Sequence, residues 1–282
     1  MRSGFNPTRR NRNIGTSKQG HGQNNKLTIP AICHAERSWW GQLGEHKQVY
    51  RSLAGRNLLF IVEATRDDSF HACTIDDICH LLRFVPLEDW EFLETFVLRQ
   101  STRKQEIKNP SWGRLAYSAT LGRPAQSSIA SGPALFLEAQ HPNKIISWSA
   151  SLDPDDQAEF ERLKADGHKA IKKGRRFLLS CDLQSIRATQ LYRTVLHEIG
   201  HWVDWLQKVV RPSGDDPDLW ERHEDLYFSR PSAEREAFAH LYGVAAGERL
   251  RSTGRIPFDR VIDRESLDEH GMRKDFLVAE KE

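Results

Sequence analysis

Apolar positions along this chain follow two rhythms, one of strands and one of helices. Leu58 to Val62 is an unbroken apolar run of strand length, the pattern of a strand buried on both faces. Thr95 to Leu98, Trp112 to Tyr117, Ala134 to Leu137 and Phe177 to Ser180 are further strand segments, separated by Gly, Pro and Asn turn signals. Ile75, Ile78, Leu81 and Leu82 have helical spacing instead. They follow Thr74 and Asp77, a capping-box pair, and stop before Pro86. Asp153 as N-cap, Pro154 at the first helical position and Gly167 beyond the end bracket a second helix that contains Phe160 and Leu163. Most strands precede the last helices, so the pattern predicts an α+β fold.

The strongest helical pattern runs from Ser185 to about Lys208. It has no proline, and Leu191, Val195, Ile199, Trp202 and Leu206 recur at helical intervals, with Tyr192, Leu196 and Val203 widening the stripe. So apolar a helix is expected to be buried, yet Thr194, His197, His201 and Asp204 form a polar row along it. His197 and His201 stand one turn apart, where two imidazoles reach one cation at roughly 2.0 to 2.1 Å without distorting the backbone. Glu198 is turned away by about a hundred degrees, a position suited to a general base acting on water rather than to a ligand. Gly200 removes bulk where another helix or a substrate comes close. The plainer alternative is a pair of core histidines flanking a surface glutamate.

A catalytic zinc ion, Zn2+, needs a third protein ligand and an open position. The segment after Pro231 reads as the next helix, with Ser232 as N-cap and Phe238, Leu241, Tyr242 and Ala245 on its buried side. Glu234 and Glu236 point to nearly opposite faces of it. Glu234 is explained by the helix dipole, whereas Glu236 lies among Ala233, Ala239 and His240, small or polar neighbours that permit close packing. Glu236 is therefore the expected ligand, and an ion pair with Arg235 or Lys208 is its alternative.

HEIGHWVDW followed by EREAFAH resembles the gluzincin branch of the zincin metallopeptidases, and within it the anthrax lethal factor-like catalytic domains. The resemblance covers about fifty residues. It implies a zincin-like fold, with a twisted mixed sheet over a buried active-site helix, a helical lower half, and an extended peptide across the cleft. It also implies an oxyanion-stabilising tyrosine before the ligand glutamate, for which Tyr227 is the counterpart and Tyr242 the other phenol. Many gluzincins carry a carboxylate four residues after that glutamate, supporting a ligand histidine; His240 stands there in this chain. Asp204 matches the motif's aspartate and either orients a ligand or pairs with Lys208. Zincins hold substrate as an added strand on a sheet edge, and Ala134 to Leu137 is the candidate edge, with an interior strand as the alternative.

Composition changes this picture little. The 282 residues carry a net charge of +2 and an apolar fraction of 38%, enough for a real core and forcing no charged partner. Residues 1–35 hold no Asp or Glu but include Arg2, Arg9, Arg10, Arg12, Lys18 and Lys26, which reads as a basic disordered tail. The catalytic domain is expected over 45–262, with 263–282 as a charged tail. Cys33, Cys73, Cys79 and Cys181 show neither metal spacing nor disulfide density, and no segment reads as a Sec signal or a membrane span, so a cytoplasmic protein without a membrane partner is the expectation. The expected function is zinc-dependent endopeptidase cleavage of a protein or peptide. The alternative is a catalytically inactive, zinc-stabilised module that binds protein or nucleic acid through residues 1–30.

Overall fold

The computed structural model describes residues 41–277, apart from 109, 124–126, 142 and 144; the basic segment 1–35 and Cys33 lie outside the described residues. Strands β1 (His46–Leu53) and β2 (Arg56–Glu63) form a hairpin turned by Ala54 and Gly55, both at positive φ. β3 (Thr95–Arg99) runs parallel to β2, β5 (Ala130–Glu138) parallel to β3, and β4 (Gly113–Leu121) antiparallel to β5. The sheet is thus mixed, in the order β1-β2-β3-β5-β4, and the fold is α+β. β2 and β3 are paired on both sides and buried on both faces, which is why their sequences read as continuous apolar runs. β5, the candidate edge with an interior strand as its alternative, is interior; the edges are β1 and β4. β1 escaped the sequence reading because it is a half-exposed outer strand whose polar residues break the apolar pattern.

One sheet face, with Phe60, Phe96, Leu135 and Leu137, packs into a continuous core with helix α1 (Ile75–Leu82) and the long helix that carries HEIGH. Thr74 closes the expected capping box on Asp77. The short helix α2 (Arg103–Lys108) precedes β4, and helix α3 (Pro154–Ala165), capped by Asp153, covers a second sheet of β6 (Ile145–Ser149), β8 (Arg176–Ser180) and β7 (Lys169–Lys173). β6 and β7 escaped the sequence reading because each is only five residues long and carries an isoleucine, Ile145 or Ile171, on its outward face, which breaks the apolar/polar alternation.

The long helix, α4, spans 183–213 as successive helical segments and starts two residues before Ser185, where Asp182 accepts the Ser185 N–H. Helix α5 (Pro217–Ser229) and helix α6 (Ser232–Ser252) follow. Pro231, not Ser232, occupies the N-cap of α6, and Ser232 makes no capping bond. Leu241 is 73% exposed and Ala245 is exposed, against expectation; the buried line of α6 is Ala239, Ala246, Gly247 and Leu250. Ala239 holds the line where the neighbouring helix is closest, since its backbone lies 2.9 Å from where a Cβ on Gly200 would stand.

The folded unit is longer than the expected 45–262. Leu43 is buried at its start. At its end Leu267, Met272 and Leu277 enter the main core, so through residue 277 the segment is part of the domain rather than a charged tail. Asp77 anchors this return. It receives two hydrogen bonds from Arg187 of α4, at 3.0 and 2.8 Å, and the Val261 N–H at 2.9 Å.

Candidate metal centre

The HEIGH segment (Val195–Trp205) is regular α-helix between two π-helical stretches, Thr189–Thr194 and Leu206–Val210. Such widened turns shift the register of side chains around the helix axis. His197 and His201 face α6, which lies almost in contact with this helix. A Cβ on Gly200 would fall 2.9 Å from both the Cα and the carbonyl oxygen of Ala239, and one on Gly243 only 3.3 Å from the His197 backbone. A side chain at Gly200 would force the α6 backbone to shift, and one at Gly243 would need the His197 backbone to give by a few tenths of an ångström, so the approach requires glycine most strictly at Gly200.

That approach delivers Glu236. Its Oε2 lies 3.3 Å from His197 Nε2, and its Oε1 lies 3.4 Å from His201 Nε2. Ligands at about 2.05 Å in tetrahedral arrangement are separated by roughly 3.3 Å, so these spacings match a shared divalent cation. The donor atoms of the three residues all lie within 4.8 Å of one another. Glu234 is directed elsewhere and pairs with Arg230 at 3.5 Å. Hydrogen bonds from His197, then from His201, hold the Glu236 carboxyl well below its ordinary pKa. Burial alone would lower His201, but its bond to Glu236 and the charges of Glu198 and Glu236 outweigh it and raise the group.

Glu198 is buried and not part of this triplet. Its carboxyl is pushed up chiefly by burial, opposed by His197 and His201 and by a backbone hydrogen bond from Leu115. It borders two recesses on either side of the cluster. One, about 230 Å³, is bounded by Trp112, Arg193, Thr194 and His240; the other, about 350 Å³, by Arg114, Tyr117, Phe228 and Arg235. Both share His197, Glu198 and Glu236, so each recess reaches the cluster. The roof is β4. Gly113 lets it pass over α4, because a Cβ there would meet Phe136 O at 2.6 Å and Thr194 at 2.8 Å.

A register shift between Ala116 and Ala119 interrupts β4 at Tyr117. Bulges of this kind re-aim a side chain, and Tyr117 stacks on Trp205 with ring centroids 4.6 Å apart while bordering the cleft. Burial pushes its phenol up to about 12. Sequence reasoning had the strand but not this residue, because no local pattern marks the bulge.

Several expected roles are not met. Tyr227 is 1% exposed, walled in by Trp205, Phe228 and Tyr117, and its hydroxyl meets that of Tyr117 at 2.9 Å and bonds Asp204 as well. It borders neither recess. The nine residues to Glu236 include a helix end and Pro231, which leave Tyr227 in the core beneath the site. Tyr242 donates to Asp89 at 2.7 Å. Asp204 is fully buried and binds Lys208 and Arg230, the latter at 3.0 Å, instead of orienting a histidine. His240 lies against the His197 ring, with centroids 4.5 Å apart. Neither supports a ligand by hydrogen bonding: the Nδ1 atoms of His197 and His201 are buried without a partner among the described residues.

Comparison with protein-family models, with curated proteins and with solved structures found no match to this chain. No helix among the described residues is long and apolar enough to cross a membrane.

Proposed function

We propose that this chain is a zinc-dependent endopeptidase of the zincin type. The observation that carries the reading is the convergence of His197, His201 and Glu236 on one point, with Glu198 beside it facing open space on two sides. Two imidazoles and one carboxylate make a three-ligand set that suits zinc and leaves a coordination position free. Bound there, zinc would supply a Lewis acid that acidifies water and polarises a peptide carbonyl.

The chain's own groups then have defined tasks. Glu198 takes a proton from water as its oxygen bonds to the carbonyl carbon, and returns that proton to the amine nitrogen as the C–N bond breaks. Tyr117 borders the recess, and its hydroxyl, which bonds that of Tyr227, turns to donate to the oxygen that gains charge. The free edge of β4 offers main-chain groups to an extended peptide, which fits a protein or peptide substrate laid through both recesses.

The test is metal analysis of wild type beside Glu236→Ala, Glu234→Ala and Glu198→Gln, followed by digestion of a mixed peptide library. Wild type and Glu234→Ala are expected to hold about one zinc per chain and Glu236→Ala to lose it. Glu198→Gln is expected to keep zinc and to lose roughly 10²- to 10⁴-fold in turnover. Full zinc in Glu236→Ala would remove the third ligand, and a wild type that neither contains nor takes up zinc would end the proposal.

A further inference from the structure

The outer face of the β6-β8-β7 sheet has a composition unlike the rest of the surface. Antiparallel register aligns Ile145 with Ser180 and Lys169, Ser147 with Leu178 and Ile171, and Ser149 with Arg176 and Lys173. Alternation puts these nine on one face, and the residues between them, including Trp148, Phe177 and Leu179, on the inner face against Phe160 and Leu163 of α3. The outer nine are three aliphatic, three basic and three serine residues, with no acid.

Ile145 and Ile171 are 63% and 65% exposed. Arg175 adds one more charge in the turn at Gly174, and Lys172, aligned with Phe177, stands exposed near the strand end on the other face. Among the described residues, no carboxylate pairs with Lys169, Lys172, Lys173, Arg175 or Arg176; Arg176 reaches Ser147 at 3.5 Å, and Lys172 lies over the Phe177 ring. Nearby acids are engaged elsewhere: Asp182, which feels the Lys169 charge, caps α4, and Glu159 and Glu161 of α3 pair with Arg193, Arg162 and Lys164.

We propose that this basic, aliphatic sheet face is a docking surface for an anionic lipid bilayer. Charge complementarity selects an anionic partner, and the identity of the uncharged residues selects lipid over nucleic acid. A single-strand site needs exposed rings for base stacking, but the sheet's aromatics, Trp148 and Phe177, point inward. Outward isoleucines beside Lys169, Lys173 and Arg176 instead match a surface that sinks aliphatic side chains to headgroup depth while its cations meet phosphates. The chain's own segment 1–35 is also basic, so it is not a complementary cover for this face. Contact of this kind needs no membrane-spanning helix.

The experiment is flotation of the full chain with vesicles of phosphatidylcholine alone or with about 30% phosphatidylserine, at low and high salt. The variants are Lys169→Gln/Lys173→Gln/Arg176→Gln and Ile145→Ser/Ile171→Ser, all at exposed positions, with thermal melting to confirm folding. Wild type is expected to float only with the anionic vesicles, and more weakly at high salt. Each neutralised charge should reduce partition roughly fivefold, so the triple variant loses about a hundredfold. The serine pair should lose severalfold at both salt concentrations. Because residues 1–35 are basic as well, the variants decide. Absence of vesicle binding overturns the proposal, as does binding that the triple variant leaves unchanged. Tighter binding to a single-stranded oligonucleotide that vesicles fail to displace would also overturn it, in favour of nucleic acid.

Discussion

Tyr227 and Tyr117 illustrate how burial separates two phenols that touch. The Tyr227 hydroxyl is enclosed and bonded to Tyr117 and Asp204, whereas the Tyr117 ring borders the cleft. Tyr227→Phe should therefore act on stability, costing about 1 to 3 kcal/mol in urea unfolding because the buried Asp204 loses a donor. Tyr117→Phe should act mainly on turnover. A Tyr227→Phe protein of unchanged stability but lost activity would return Tyr227 to the chemistry. The choice between Glu234 and Glu236 was legible at this same scale, because residues two apart on a helix diverge and only one has small neighbours. The fate of Asp204 was not: Lys208 is visible four residues on, but Arg230 arrives from beyond the next helix.

At the scale of elements, the site depends on how closely α4 and α6 cross. Gly200→Ala would drive a Cβ into the α6 backbone at Ala239, where no flexible side chain can yield. The expected cost is about 1 to 3 kcal/mol of overpacking, with a fall in zinc affinity as Glu236 is carried away from the histidines. Gly247→Ala is the control. Its Cβ would meet chiefly the mobile end of Arg251 at 3.1 Å, so it should leave zinc binding intact and, as a helical Gly→Ala change, cost little. Calorimetric zinc titration of the two variants checks this, and equal affinities would detach the crossing from the metal. Capped, strongly periodic helices such as α1 and α3 were readable because their signals are local. The edge position of β4 and its bulge were not, since strand order is set by partners distant in sequence.

For the whole molecule, stability should depend on both pH and metal. His71 is enclosed between the sheet and its connections, with Nε2 against the Glu63 carbonyl at 2.8 Å, and burial lowers its pKa from 6.5 to about 4. Between those values the unfolded chain binds a proton that the folded one refuses. Stability is therefore whole above the upper value and declines as pH falls toward the lower, by up to about 3 kcal/mol. Glu63, raised by burial, works in the opposite sense: its cost is present above its unfolded value and relieved by acid, so it offsets part of the decline. Melting curves in chelator from pH ~7 to ~4.5 should show a shallower acid slope in His71→Gln than in wild type; equal slopes would exclude His71 as a source. Zinc added in excess should raise the melting temperature of wild type but not of Glu236→Ala, since only a native site links binding to folding.

By itself the sequence determined the residues of the candidate site: two histidines one turn apart on a buried helix, a glutamate displaced beside them, and a second helix bearing one suitably flanked carboxylate. These follow from helix periodicity, which depends only on local spacing. Tertiary structure alone decided the 3.3 and 3.4 Å approach of Glu236 to the histidines, the burial of Tyr227 away from both recesses, the placing of half-buried Tyr117 at the cleft, and the edge strand that roofs it. Each of these depends on the distance between segments far apart in the chain, and that distance is set by packing.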